Sequence, residues 1–162
     1  MTPHSWPPAP GDFAHAGPPV TRDEIHAAEG AVGIPFPQDV VRHYLAVNGG
    51  YPAHTFWGDG EREQDVSYFF PVGPASADDG GTVEAEYAGF VARGLIDADL
   101  VPFARDAGGN FYCFDAAGAV YYTVFDVWDP ARTPAENRAY ARSRLTESFA
   151  RFAGGLEPNP FE

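Results

Sequence analysis

Apolar residues recur along this chain with two different periods. Ile25, Ala28 and Val32 stand at helical spacing behind Thr21-Arg22-Asp23-Glu24. Thr21 can cap a first turn there, and Glu24 three residues on completes a capping box. The spacing predicts a helix ending near residues 30–33, where glycines stand. Val40, Val41, Tyr44 and Leu45 share one face of a second predicted helix, with Pro37 suited to its first turn and Asn48-Gly49-Gly50 as its stop. Val66, Tyr68, Phe70 and Val72 follow period two and predict a strand, near an edge because of Pro71. Val83, Tyr87, Phe90 and Val91 return to helical spacing, with Gly94 as a stop.

The segments LVPFA, NFYCFD and VYYTVFDV then follow in quick succession, separated by Asp106-Ala107-Gly108-Gly109-Asn110 and Ala116-Ala117-Gly118. Short links of this composition predict an antiparallel meander. Thr133-Pro134-Ala135-Glu136 repeats the capping-box pattern, and a helix is predicted to run on to Ala153, with Tyr140, Leu145, Phe149 and Phe152 inward; Ser143 could start a separate piece of it. The expected fold is α+β: a single antiparallel sheet of about four to six strands, with N-terminal helices and a C-terminal helix packed on it. Residues 1–20 carry six prolines and predict an N-terminal arm, partly disordered, that Trp6 and Phe13 can pin to the domain. The domain is expected over residues 21–156 and a tail over 157–162.

Charge changes the picture more than composition does. The chain has 162 residues, enough for one domain with a real core, and carries 23 acidic against 10 basic side chains, a formal −13. All ten cations are arginine. A field this negative repels nucleic-acid phosphates and anionic membrane surfaces, and favours a basic partner or plain solubility. Cys113 is the only cysteine, so no intramolecular disulfide forms. The N-terminus has no secretory pattern and no apolar run reaches a membrane span, so the expected location is cytoplasmic.

No catalytic, cofactor or metal constellation emerges. His4, His15, His26, His43 and His54 show no zinc-like spacing, and no nucleophile elbow or phosphate loop is present. Cys113 lies between aromatic residues and reads as a buried thiol. Residues 59–65 superficially resemble a calcium loop, but Gln64 stands at its sixth position and Phe70 at its twelfth. Asp97 and Asp99 read as a solvated pair.

One constellation survives. Residues 57–86 hold eight carboxylates against the single Arg62, more than half of the net charge. Aromatic residues ringed by such charge suit a steered protein interface as well as a solvated acidic loop. The candidate partner-binding residues are Trp57, Asp59, Glu61, Glu63, Asp65, Tyr68, Asp78 and Asp79. The C-terminal segment is opposite in character, with Arg132, Arg138, Arg142, Arg144 and Arg151 against Glu136 and Glu147.

The segments IPFPQDVVRHYLAVNGG, LVPFARDAGGNFYCFD, VYYTVFD and SFARFAGGL, in this order, resemble the SMI/KNR-type proteins of the SUKH superfamily. The shared features are the Ile34-Pro35 step, Asn48-Gly49-Gly50, Gly108-Gly109-Asn110, and Ser148-Phe149 with Phe152. The residues themselves point to no cofactor, and the resemblance implies an α+β fold and no enzymatic activity. It also implies either of two roles: an immunity protein that neutralises a cognate protein toxin, or a regulatory or scaffold protein with an endogenous partner.

Overall fold

The computed structural model describes residues 6–73 and 81–161. Its first elements follow from local signals. A short strand β1 (Phe13–Ala14) precedes helix α1 (Arg22–Val32). The backbone N–H of Glu24 donates to Thr21 Oγ1 at 3.2 Å, and that of Thr21 donates to Glu24 Oε1 at 3.0 Å, so the expected capping box forms. Gly33 closes the helix with φ 81°.

Helix α2 (Gln38–Ala46) starts behind Pro37, which caps it rather than entering its first turn. It stops at Val47 in an extended conformation, before Asn48 is reached. Asn48 therefore has a different task from the expected helix stop. Its amide donates to the carbonyls of Pro18 at 2.8 Å and Val72 at 3.1 Å, and its Oδ1 accepts the backbone N–H of Val72 at 2.8 Å. One buried side chain thus ties the N-terminal arm to the segment after the sheet's first strand. Gly49 beside it holds φ 75°, and a Cβ there would lie 2.7 Å from Pro71 N and 2.8 Å from Phe69 O.

The strands β2 (Tyr51–Pro52), β3 (Phe56–Gly58), β4 (Glu63–Asp65) and β5 (Tyr68–Phe69) follow, then α3 (Val83–Ala92). The meander is β6 (Val101–Arg105), β7 (Phe111–Phe114) and β8 (Val120–Thr123). Helix α4 (Pro134–Ala141), strand β9 (Arg142–Thr146) and helix α5 (Phe149–Gly154) complete the chain. The described residues form three antiparallel sheets, not the single one expected. A five-stranded sheet runs in the order β5-β6-β7-β8-β9, and β1-β2 and β3-β4 are separate two-stranded ribbons. The strand expected over residues 66–72 contracts to β5, since Pro71 has no N–H to extend the ladder.

The C-terminal region departs most from expectation. Residues predicted as helix up to Ala153 divide into helix, edge strand and helix. Asp97 fixes the change of direction. Its carboxylate takes Arg138, in the last turn of α4, and Arg142, the first residue of β9, each at 2.9 Å. It is a clamp, not a solvated loop acid. Arg142 also stacks on Tyr121 of β8, 4.4 Å from the ring centroid. Pairing with β8 overrides the helical propensity of this segment. Tyr140, expected inward, is 66% exposed.

Alternation along β7 divides the core. Tyr112 and Phe114 meet Phe152 and Phe149 of α5, while Phe111 meets Phe90 of α3 at 4.3 Å between centroids. The sheet is thus covered on both faces, which explains its nearly continuous apolar strands.

Candidate functional site

The acidic stretch is not an irregular loop over its first part. β3 and β4 pair antiparallel, with Trp57 opposite Gln64 and Gly58 opposite Glu63. Asp59 builds the turn. Its Oδ1 accepts the backbone N–H of Glu61 at 2.9 Å and of Arg62 at 2.7 Å, and Gly60 takes φ 91°. Its Oδ2 accepts Nη2 of Arg62 at 2.9 Å. The backbone hydrogen bonds from Arg62 and Glu61, and then the guanidinium, hold the Asp59 carboxyl down to about 2.

Arg62 carries the hairpin to the main sheet. Its Nη1 donates to the carbonyl of Arg144 and its Nη2 to that of Leu145 at 3.2 Å. The register of β9 against β8 shifts between Val120 and Tyr121, which leaves Leu145 as the extra residue of a bulge. Two consecutive carbonyls of an edge strand thereby serve one guanidinium. A second tie comes from β7: the Tyr112 hydroxyl donates to the Asp65 carbonyl at 2.9 Å. The hairpin therefore covers the Tyr112 side of the β7–β8 ladder, which the sequence alone leaves open.

This framework brings Asp59, Glu61, Glu63 and Asp65 together as exposed residues on one hairpin. It separates the aromatic candidates from them. Trp57 is 6% exposed and lies against Phe152, 5.6 Å between centroids, and Tyr68 is 2% exposed against Tyr51 and Phe70. Both rings pack into the core rather than standing exposed among the carboxylates. Asp78 and Asp79 lie outside the described residues.

Two other candidate groups, Cys113 and His43, are packed in the core. Cys113 is buried and its thiol is pushed up to about 12, mainly by desolvation. His43 is 1% exposed among Phe13, Tyr44, Phe69 and Phe149. Among the described residues no group of three or more His, Cys, Asp or Glu side chains could hold a metal ion, and no helix is long and apolar enough to cross a membrane. Sequence reasoning missed the role of Arg62. The available signal was its isolation as the single cation among eight carboxylates, but its β9 partners lie 82 and 83 residues away.

Comparison with family models gives a match to the SMI1 / KNR4 family (SUKH-1) over residues 19–154. That span contains both Gly-Gly turns, the meander and the closing Ser148-Phe149 helix. The chain belongs to the SMI1/KNR4 family. The features that carried the resemblance have structural tasks: Asn48 clamps, Gly49 admits close backbone approach, and Gly109 takes φ 89° in the β6–β7 turn. A comparison with curated proteins finds no match.

Proposed function

We propose that this SMI1/KNR4 protein is a non-enzymatic binding protein of the immunity type, which neutralises a basic protein toxin through the β3–β4 hairpin. The observation that carries this reading is the hairpin itself: four exposed carboxylates, Asp59, Glu61, Glu63 and Asp65, on an element bonded to the sheet at two places. A site for a protein partner benefits from such rigidity, because little conformational freedom remains to be lost on binding. The family supplies the context, since SUKH proteins include immunity proteins of toxin systems. A nuclease is one suitable class of toxin, because a surface that grips phosphates is basic and an acidic protein of net charge −13 can occupy it.

Glu61 and Glu63 are the residues to test. Asp59 is committed to the turn, and the backbone of Asp65 takes the Tyr112 hydroxyl. The tagged full chain should capture a basic protein from its native host, identified by mass spectrometry, and Glu61→Gln/Glu63→Gln should lower that capture about tenfold or more. The purified captured protein should be toxic when expressed alone and harmless with the parent chain. Capture of an acidic or neutral protein, undiminished in the variant, would favour a regulatory role on another face.

A further inference from the structure

Beside the hairpin lies a cleft in which cationic side chains outnumber acidic ones, Arg62, Arg144 and Arg151 against Asp59 and Glu147. It has a volume of about 480 Å3, and Trp57, Arg62, Arg144, Thr146, Glu147 and Arg151 are among the residues that line it. Its donors and acceptors do not balance. Arg62 is committed to Asp59 and to two carbonyls of β9, and Asp59 is committed to Arg62 and the turn. Arg144 meets Glu147 only at 4.0 Å, with side chains 56% and 73% exposed. A pair so long and so solvated is weak and readily replaced. Arg151, exposed on α5, has no ion pair among the described residues. Trp57 forms part of the floor at 6% exposure.

Two arginines without a firm partner, Arg144 and Arg151, therefore line a cleft whose only weakly held carboxylate is Glu147. Guanidinium binds carboxylate through paired, charge-assisted hydrogen bonds. We propose that this cleft receives an acidic side chain of the protein partner, held between Arg144 and Arg151 above Trp57. The inference rests on the reading of the chain as a partner-binding protein and adds to it a second, oppositely charged contact. The hairpin attracts the partner's basic surface at long range. The cleft then accepts one carboxylate at short range and so fixes the register, since a partner without an acid at that point leaves the arginines unmatched. The two elements are joined through Arg62, which holds the hairpin against the strand that carries Arg144.

The cleft can be tested without the natural partner. The probe is a blocked peptide, Gly-Glu-Glu-Gly, against the same peptide with glutamine, at constant ionic strength. The readout is the Trp57 indole N–H resonance of the full chain, assigned with Trp57→Phe. The glutamate peptide should shift it saturably and the glutamine peptide should not. Arg144→Gln/Arg151→Gln should weaken the glutamate peptide about tenfold or more, while Arg144→Lys/Arg151→Lys restores part of the loss. Equal shifts with both peptides, or an unchanged titration in the glutamine double variant, would overturn the cleft. With the captured partner, Arg144→Gln/Arg151→Gln should raise the dissociation rate about tenfold and leave the association rate within about twofold. An unchanged dissociation rate would also overturn the cleft. It would leave the hairpin reading standing, because that reading is lost only if Glu61→Gln/Glu63→Gln leaves association unaltered.

Discussion

His43 shows how the core treats a polar side chain that has nowhere to turn. Both ring nitrogens are buried without a hydrogen-bond partner, and the ring stacks on Phe69 at 5.3 Å. Among the rings around it the other titratable group is Tyr44, whose hydroxyl donates to the Phe70 carbonyl at 2.7 Å. Desolvation lowers His43 from 6.5 to about 3, so the neutral form packs here. The unfolded chain takes up the proton first as pH falls. The domain is therefore at full stability above about pH 6.5 and loses stability from there down toward pH 3, by at most about 1.4 kcal/mol per pH unit. Urea unfolding should give a free energy about 2 kcal/mol lower at pH 5 than at pH 7. His43→Leu should remove most of that difference, and an equally steep profile in the variant would count against this account of the core.

The two glycine turns divide at the same scale. Gly109 has φ 89° and open space around it, so Gly109→Ala should cost only backbone strain, about 1 kcal/mol. Gly49→Ala adds collisions with backbone atoms of Phe69 and Pro71 and should cost several times more. Paired thermal melts decide between this order and its reverse.

At the scale of elements, local signals were legible and distant partners were not. The caps of α1 and α4, helix α3, the β6-β7-β8 meander and the Gly109 turn could all be read from the chain, because each is set by residues within a few positions. Strand β9 could not. Its residues suit a helix, and only Asp97, Tyr121 and pairing with β8 make it a strand. The β3–β4 hairpin was hidden for a related reason, since Glu63-Gln64-Asp65 shows no apolar alternation and its fixings come from Arg62 and Tyr112.

The candidate site was half legible. The density of carboxylates is a property of sequence, but the inward turn of Trp57 onto Phe152 is a property of packing. Trp57→Ala should therefore cost about 3–5 kcal/mol of stability, and its effect on binding should follow from that loss. Arg62→Ala should cost about 1–2 kcal/mol and speed amide exchange in β4 and β9, since it frees Asp59 Oδ2 and the two edge-strand carbonyls. Normal exchange in that variant would show that the hairpin is held by other contacts.

Across the whole molecule the charge is uneven in kind. The acidic hairpin projects its carboxylates, whereas Arg138 and Arg142 are drawn onto Asp97 and Arg62 onto β9. The exposed field is thus dominated by acid, with the Arg144–Arg151 cleft as a local exception. Such a field acts at long range and chiefly on association, and salt screens it over roughly 8 Å at physiological ionic strength. Short-range contacts act chiefly on dissociation.

The most direct measurement of the central claim is the association rate of the captured partner with the parent chain and with Glu61→Gln/Glu63→Gln, across a salt series. The hairpin account predicts a rate for the parent that falls about tenfold or more between low and high salt, and a variant that is slower at low salt and converges on the parent at high salt. Equal rates for the two proteins at every salt concentration would contradict it.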